Sequence, residues 1–246
     1  MGRRAAVAGS SAGLGFEAAR ALGREGVRVA ISGRDPARLA TAADKLRAEG
    51  VDVVAVTADV STPEGAETFV DSSAAELGGI DILVANAGGP PPGTFATTTL
   101  DAYRVALDLN LLSTVAMCQR AVPGMREAGW GRVIAITSIG ARQPIGSLMA
   151  STTARAGVTG FLKVLATEVA ADGVTVNSVQ PGVHATDRLL SVPPSALEAL
   201  VADLPIGMLG DPADFGAVVA FLCSVHARFI TGASIPVDGG ASRSLM

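Results

Sequence analysis

The sequence has few aromatic and few charged residues. Aromatics make up 4% and charged residues 17% of its 246 residues, and Tyr103 is its one tyrosine. No run of lysine and arginine stands out, and the formal net charge is −4. Without a basic patch, the chain is not expected to bind nucleic acid. Because no uninterrupted apolar run approaches the length of a membrane span, insertion into a membrane is not expected either.

Cysteine is also scarce, and nothing in the sequence requires Cys118 and Cys223 to pair. The first residues, MGRRAAVAGSSAG, include two arginines, but their apolar stretch is too short for a signal peptide. We therefore predict a cytoplasmic protein, and no metal site is predicted.

Hydrophobic residues are abundant at 49%. With so few charges, we expect part of the surface to be buried in an oligomer.

Short runs rich in Val, Ala and Ile alternate with longer helical patterns along the chain. The apolarity of these runs is continuous, which is typical of strands covered on both faces. The alternation predicts one doubly wound parallel α/β sheet of about seven strands, in a single domain over residues 1–246. The proline-containing segment 183–209 is predicted to form a lid over a site. The predicted strands are Arg4–Ala8, Val27–Ser32, Val51–Thr57, Ile80–Ala85, Arg132–Thr137, Val174–Val179 and Ser234–Val237, and the longest predicted helices are Leu100–Glu127 and Met149–Ala171.

The first predicted strand runs into a glycine-rich turn, G-x-x-x-G-x-G, formed by Gly9, Gly13 and Gly15. Glycine lacks the Cβ that would block a phosphate group, and the following helix N-terminus favours negative charge. In this strand–turn–helix setting the pattern predicts a Rossmann-like dinucleotide site. Ser11 and Leu14 lie in the same turn and are predicted to contact the cofactor.

Together with later motifs, this turn resembles the signature of the short-chain dehydrogenase/reductase family, and the resemblance extends from Val7 to Gly240. It is closest in kind to the 3-oxoacyl-carrier-protein-reductase-like branch. The matching residues are Asp59-Val60 after the third strand, Asn86-Ala87-Gly88 after the fourth, Asn110, Ser138, the segment Asn177 to Gly182, Ile230-Thr231-Gly232 and Val237 to Gly240.

The resemblance implies a role for several of these residues. Asn110 and Ser138 occupy the positions of the catalytic Asn and Ser of the family. Thr186 is expected to meet the nicotinamide carboxamide. The other expected cofactor contacts are Asp59, Val60, Asn86, Ala87, Gly88, Pro181 and Gly182.

The choice between NADP(H) and NAD(H) depends on the end of the second strand. An acidic residue there would bind the adenosine ribose diol and repel a 2′-phosphate. The strand instead ends in Arg34, whose guanidinium can bind a phosphate through two hydrogen bonds. NADP(H) is therefore the preferred cofactor, and NAD(H) stays open because Arg34 could pair with Asp35 or Asp59.

The most unusual feature is the position of the family's Tyr-x-x-x-Lys pair. Arg155-Ala156-Gly157-Val158 aligns with the family's Lys-Ala-Gly-Val, which places Ser151 where the catalytic Tyr would stand. No shift of frame supplies a tyrosine, since Tyr103 precedes Asn110 in another helix. The sequence resembles an atypical subgroup with Ser-x-x-x-Arg at these positions.

Each substitution has its own chemical consequence. Arg155 can hold a ribose diol and supplies a positive charge, but it cannot pass on a proton. The Ser151 hydroxyl is a much weaker acid than a phenol and leaves space for water or substrate. His184 is a candidate proton donor because imidazole titrates near neutral pH. The alternative is that His184 contributes only its backbone.

These observations leave three hypotheses open. The first is an atypical oxidoreductase that reduces a carbonyl, or oxidises an alcohol, of a small-molecule substrate such as an acyl thioester or another ketone. The second is a non-redox enzyme on the same fold: a dehydratase, cyclase or isomerase. The third is a dinucleotide-binding pseudoenzyme or structural partner.

Overall fold

The apolar runs form a single parallel sheet, and the side chains of its central strands are buried on both faces. The computed structural model describes residues 2–245. The strand order is β3-β2-β1-β4-β5-β6-β7, and each neighbouring pair is parallel. The predicted doubly wound sheet of about seven strands is confirmed. The strands are β1 (Arg4–Val7), β2 (Arg28–Gly33), β3 (Val53–Thr57), β4 (Ile82–Ala85), β5 (Gly131–Ile136), β6 (Val174–Pro181) and β7 (Ser234–Val237).

Helices lie on both faces of the sheet, and several begin at a side chain that caps the first turn. The Asp35 carboxylate accepts hydrogen bonds from the amides of Ala37 and Arg38, and the Thr62 hydroxyl accepts one from Gly65. The α-helices are α1 (Gly13–Arg24), α2 (Pro36–Ala48), α3 (Pro63–Leu77), α4 (Leu100–Leu107), α5 (Ser113–Glu127), α6 (Met149–Val169), α7 (Asp187–Leu190), α8 (Pro194–Ala202) and α9 (Pro212–Cys223).

Two hydrophobic cores hold the helices against the sheet. One contains Phe69 of α3 and Met117 of α5, and the other contains Leu22 of α1 and Phe215 of α9. Helices α1 and α9 meet at the backbone, because a Cβ on Gly216 would lie 2.4 Å from the carbonyl oxygen of Glu17. The sheet is thereby covered on both faces, which explains the continuous apolarity of its strands.

The strand order reverses between β1 and β4, and a cleft opens beyond the carboxyl ends of these strands. In open parallel sheets this reversal is where ligands bind. The glycine turn follows β1, and Asn86 follows β4, so residues distant in the sequence meet at this point.

Several strands begin or end one or two residues from their predicted bounds, and two longer regions differ in structure. The predicted helix Leu100–Glu127 is interrupted by a π-helical turn, Asp108–Leu112, between α4 and α5. The segment 183–209 contains the short helices α7 and α8, and every residue of α8 is partly or fully exposed. Among residues 2–245, no helix combines the length and apolarity needed to cross a membrane.

Candidate active site

The glycine turn after β1 is held closed by the side chain of Asn86. Its Nδ2 atom donates hydrogen bonds to the carbonyl oxygens of Ala8, at 3.2 Å, and Gly9, at 3.0 Å. Gly9 and Gly13 have φ angles of 56° and 62°, which favour glycine. A Cβ on Gly15 would lie 2.6 Å from the Gly9 oxygen and 2.7 Å from Asn86 Nδ2. The turn therefore has no room for a side chain at Gly9 or Gly15, whereas at Gly13 the backbone conformation alone favours glycine.

The N-terminus of α1 faces the cleft with its first amides uncapped. Ala12 supplies no side-chain hydrogen bond, and the first turn has no acidic residue. Such a twelve-residue helix can bind an anion through these amides and its dipole. A Cβ on Gly13 would lie 3.7 Å from Thr186 Cγ2, so the start of segment 183–209 lies over the turn. Leu14, inside α1, packs against the core.

A cavity of about 290 Å³ adjoins this turn on the β2 side. Its lining includes Ser11 together with Arg38 and Lys45 of α2. Arg34 is exposed nearby, and within residues 2–245 it forms no ion pair with Asp35 or Asp59. The sequence analysis did not identify Arg38 or Lys45, because their approach to the turn depends on how α2 packs.

The residues after β3 and β6 reach the same end of the sheet. Asp59 is exposed, and its carboxylate accepts a hydrogen bond from the Ser61 amide at 3.1 Å, whereas Val60 is buried in the core. Pro181 ends β6, and the Gly182 amide donates to the Val237 oxygen at 3.0 Å. Ala87 is partly buried against the core below the cleft.

The π-helical turn directs Asn110 towards the residues after β4. Asn110 is buried, and its Nδ2 atom donates to the carbonyl oxygen of Gly88 at 2.9 Å. Its Oδ1 atom has no hydrogen-bond partner within residues 2–245. π-Helical turns often occur at functional sites. A buried amide oxygen without a partner indicates that water or a ligand completes this site.

Ser138 follows β5 and caps a short 3₁₀ turn, Ile139–Ala141. Its hydroxyl accepts a hydrogen bond from the Gly140 amide at 3.0 Å. A Cβ on Gly140 would lie 3.3 Å from Ser138 Oγ and 3.6 Å from Thr152 Oγ1, so the two hydroxyls lie close to the same point. Thr152 Oγ1 is buried and has no partner within the described range. Sequence analysis missed Thr152, because the family motif assigns that position no role.

Ser151 and Arg155 lie one turn apart on α6 and contact each other. Arg155 Nε donates to Ser151 Oγ at 3.3 Å, and Nη1 donates to the Ile136 oxygen at 3.4 Å. Burial, and secondarily the charge of Arg188, lower the pKa of Arg155 to about 10. The guanidinium therefore stays charged at neutral pH and donates to two neutral oxygens.

Arg188, at the start of α7, reaches across to the loop after β4. A Cβ on Gly89 would lie 3.3 Å from Arg188 Nη1 and 3.8 Å from Nη2. Glycine thus leaves room for the guanidinium at this point. Sequence analysis did not identify Arg188, since nothing local indicates that segment 183–209 folds back onto Gly89.

His184 lies at the base of this segment and packs towards α9. Its ring contacts Phe215 edge to face, with centroids 5.2 Å apart, and its Nδ1 atom is 3.4 Å from the Gly182 oxygen. Burial lowers its pKa, against the opposing effects of the Gly182 carbonyl and of Asp211. No hydrogen bond within residues 2–245 connects the imidazole to Ser138 or Ser151.

Fold and site together define a dinucleotide-binding α/β protein with a polar cleft. A family model described as enoyl-(acyl carrier protein) reductase matches residues 8–242. The acetoacetyl-CoA reductase of Cupriavidus necator is 33% identical, over 97% of both chains. The 3-oxoacyl-[acyl-carrier-protein] reductase FabG of Pseudomonas aeruginosa is 34% identical, over 98% of this chain and 97% of that one. The chain belongs to the short-chain dehydrogenase/reductase family.

Two solved structures share the fold of this chain. A crystal structure of actinorhodin polyketide ketoreductase with NADPH superposes with a TM-score of 0.93, at 31% identity and 98% coverage of both chains. The structure of YwfH, an NADPH-dependent reductase of bacilysin biosynthesis, has a TM-score of 0.94 at 24% identity, covering 99% of both chains. At that identity the YwfH match supports the fold alone.

Proposed function

We propose that this chain is an NADP(H)-dependent oxidoreductase that reduces the carbonyl of a small ketone or acyl thioester, or oxidises the corresponding alcohol. The observation that carries this proposal is the glycine turn after β1, which Asn86 holds closed and which has no room for side chains at Gly9 and Gly15. The names of relatives support it, since they are reductases of acetoacetyl-CoA and of 3-oxoacyl-carrier-protein thioesters. We place the chain in an atypical subgroup with Ser-x-x-x-Arg in place of Tyr-x-x-x-Lys.

The residues of the cleft fit a nicotinamide dinucleotide. Gly9 and Gly15 leave the turn without side chains, and the uncapped N-terminus of α1 suits a diphosphate. Arg155 would hold the nicotinamide ribose diol, and Thr186 the carboxamide. Arg34, with Arg38 and Lys45 of the adjoining cavity, would bind a 2′-phosphate, which favours NADP(H). Bound NADPH supplies the hydride for carbonyl reduction.

Proton delivery in this site differs from the tyrosine mechanism. The Ser138 hydroxyl would hold the substrate oxygen, and the Arg155 charge would stabilise negative charge developing there. We propose that water in the space beside Ser151 delivers the proton, with Asn110 Oδ1 as a further acceptor for the water chain. His184 is the less suitable donor, because its ring packs against Phe215.

Segment 183–209 is proposed to be the lid of this cleft. Thr186 contacts the glycine turn and Arg188 lies over Gly89, so the segment spans the carboxyl ends of β1 and β4. The exposed helix α8 has few packing contacts to restrain it, which suits a segment that moves when ligands enter.

Apolar exposure on two helices favours a homo-oligomer, a dimer or tetramer. Val105 of α4 and Val164 of α6 are 56% and 69% exposed, and Leu112 is also exposed. Burial of such residues against a second copy would remove apolar surface from water. Val164→Glu should shift the species measured by light scattering towards the monomer.

Cys118 and Cys223 are unpaired buried thiols, the form that a reducing compartment such as the cytoplasm maintains.

The test is a titration of the purified protein with NADPH, NADH, NADP⁺ and NAD⁺ by calorimetry, followed by a carbonyl panel read at the nicotinamide absorbance. We expect NADPH to bind most tightly and at least one ketone or thioester to be reduced slowly. Tight binding without turnover of any substrate would contradict the proposal and favour a dehydratase, cyclase, isomerase or dinucleotide sensor. Absence of dinucleotide binding would overturn its cofactor part.

A further inference from the structure

Two arginines, Arg155 and Arg188, lie at the same cleft, and neither is paired with an acidic residue within residues 2–245. Within residues 2–245, neither guanidinium forms an ion pair with a carboxylate, although arginines on the outer surface commonly do. Both hydrogen bonds of Arg155 go to neutral oxygens, those of Ser151 and Ile136. The cleft therefore holds a partly buried positive charge at Arg155 and an exposed one at Arg188, and no carboxylate within residues 2–245 pairs with either.

This arrangement is unfavourable in the ligand-free protein. Burial removes water from Arg155, and the positive charge of Arg188 acts on it with the same sign, so both lower its pKa. A desolvated charge is costly unless an opposite charge compensates it. An anion bound by Arg188 would offset the charge of that arginine and also its unfavourable effect on Arg155.

The position of Arg188 separates it from the expected diphosphate site. The diphosphate is expected at the N-terminus of α1, where Thr186 lies 3.7 Å from a Cβ built on Gly13. Arg188 lies instead against Gly89, after β4, next to the Gly88 carbonyl that Asn110 contacts at 2.9 Å. The anion is therefore expected on the side of the cleft that holds Asn110 and Arg155.

We propose that Arg188 binds a carboxylate carried by the substrate, while Arg155 holds the nicotinamide ribose and adds its positive charge, so that the preferred substrate is a small oxo acid. This inference rests on the proposed function, because the oxo group would be reduced in the same cleft. One hydride from NADPH and one proton from water convert the oxo group to a hydroxyl, and the carboxylate is unchanged. A guanidinium fork binds carboxylate through two parallel hydrogen bonds, which a neutral ester or thioester cannot match.

The experiment compares acids with their methyl esters, which differ in charge but little in shape. Pyruvate, acetoacetate and levulinate, each paired with its methyl ester, place the carboxylate at increasing distance from the oxo group. Each compound is titrated by calorimetry into protein saturated with NADP⁺, which cannot reduce it. The protein is wild type, Arg188→Gln, Arg188→Lys, or Arg28→Gln. Arg28 is a matched control because it pairs with Asp52 at 2.7 Å at the start of β2, at the amino ends of the strands and away from the cleft.

We expect at least one acid to bind wild type about 10- to 100-fold more tightly than its ester, as for a hydrogen-bonded charge pair. Arg188→Gln should abolish this preference, Arg188→Lys should retain part of it, and Arg28→Gln should leave it unchanged. NADP⁺ affinity should change less than about 3-fold in every variant.

Two results would overturn the inference. One is an equal affinity for acid and ester in all pairs, and the other is an acid preference that survives in Arg188→Gln. If that variant also loses much of its NADP⁺ affinity, Arg188 would be assigned to the cofactor diphosphate. Absence of NADP⁺ binding by wild type would instead contradict the proposed function, so the two failures are distinguishable.

Discussion

Asn86 Nδ2 donates to the Gly9 carbonyl oxygen at 3.0 Å, and this hydrogen bond joins the turn after β1 to the end of β4. The same Nδ2 atom would lie 2.7 Å from a Cβ built on Gly15, which is too close for a side chain there. The cofactor turn is thus shaped by a neighbouring strand, and its conformation depends on the packing of both.

Gly15→Ala should weaken NADPH binding at least about 10-fold and lower the melting temperature, because overpacking of this kind costs about 1–3 kcal/mol. The added Cβ would meet a backbone oxygen at 2.6 Å, which cannot move without opening the turn. Calorimetry and thermal unfolding measure the two effects. The matched control is Gly124→Ala in α5, where a Cβ meets nothing within 4 Å. It should stabilise the protein by about 0.5–1 kcal/mol, and unchanged NADPH affinity in Gly15→Ala would contradict this account of the turn.

Restoring the family pair by Ser151→Tyr with Arg155→Lys should raise kcat for carbonyl reduction at least about 10-fold, since a positioned general acid typically contributes about 10²–10⁴-fold. The phenol would occupy the space beside Ser151 and replace water as proton donor. Steady-state kinetics with the best ketone of the panel measures the effect. Arg155→Lys alone keeps a cation but adds no donor, so it serves as the control. If the double variant binds NADPH normally but its kcat for carbonyl reduction does not rise, the pocket would be suited to non-redox chemistry.

Arg34, and Arg38 in the lining of the cavity beside the glycine turn, should determine whether the protein prefers NADPH or NADH. Arg34→Ala and Arg38→Ala should each raise the dissociation constant of NADPH about 10-fold and leave that of NADH nearly unchanged, because only NADPH carries the extra phosphate. Higher ionic strength should reduce the difference in wild type. Equal losses for both cofactors would contradict the assignment of either arginine to the phosphate.

His184 should make the folded protein less stable in acid. Its pKa is lowered by burial below the ordinary value of 6.5, so the unfolded chain takes up a proton first as the pH falls. The unfolded state then binds more protons, and stability present above about pH 6.5 is lost below it. His184→Gln should therefore show a smaller fall in melting temperature than wild type between about pH 7.5 and about pH 5.5.

The same variant tests whether His184 is the proton donor. Because the ring packs against Phe215, His184→Gln should retain kcat within about 3-fold at neutral pH. A loss of about 10²-fold or more, with NADPH affinity intact, would restore the imidazole as general acid.

Much of this protein could be predicted from local patterns. Strand β7 lies at Ser234–Val237 as predicted, and the glycine turn and Asn86 were identified from motifs, because the turn needs glycine wherever it folds. The contact between Ser151 and Arg155 could also be expected, since a spacing of four residues places both on one face of an α-helix.

Other features depend on contacts between distant segments. The π-helical turn at Asn110 arises inside a run that reads as one continuous helix, and Arg38 lines a cavity only because of how α2 packs. Local periodicity carries no information on either.

The sequence by itself determined the parallel sheet, the position of the glycine turn and the shared helix face of Ser151 and Arg155, because hydrophobic periodicity, glycine requirements and helical spacing are local properties. Only the tertiary structure decided that Arg188 lies against Gly89 and acts on Arg155, and that His184 faces Phe215. These relationships depend on how segment 183–209 folds across the sheet, and the packing of the whole chain sets that path.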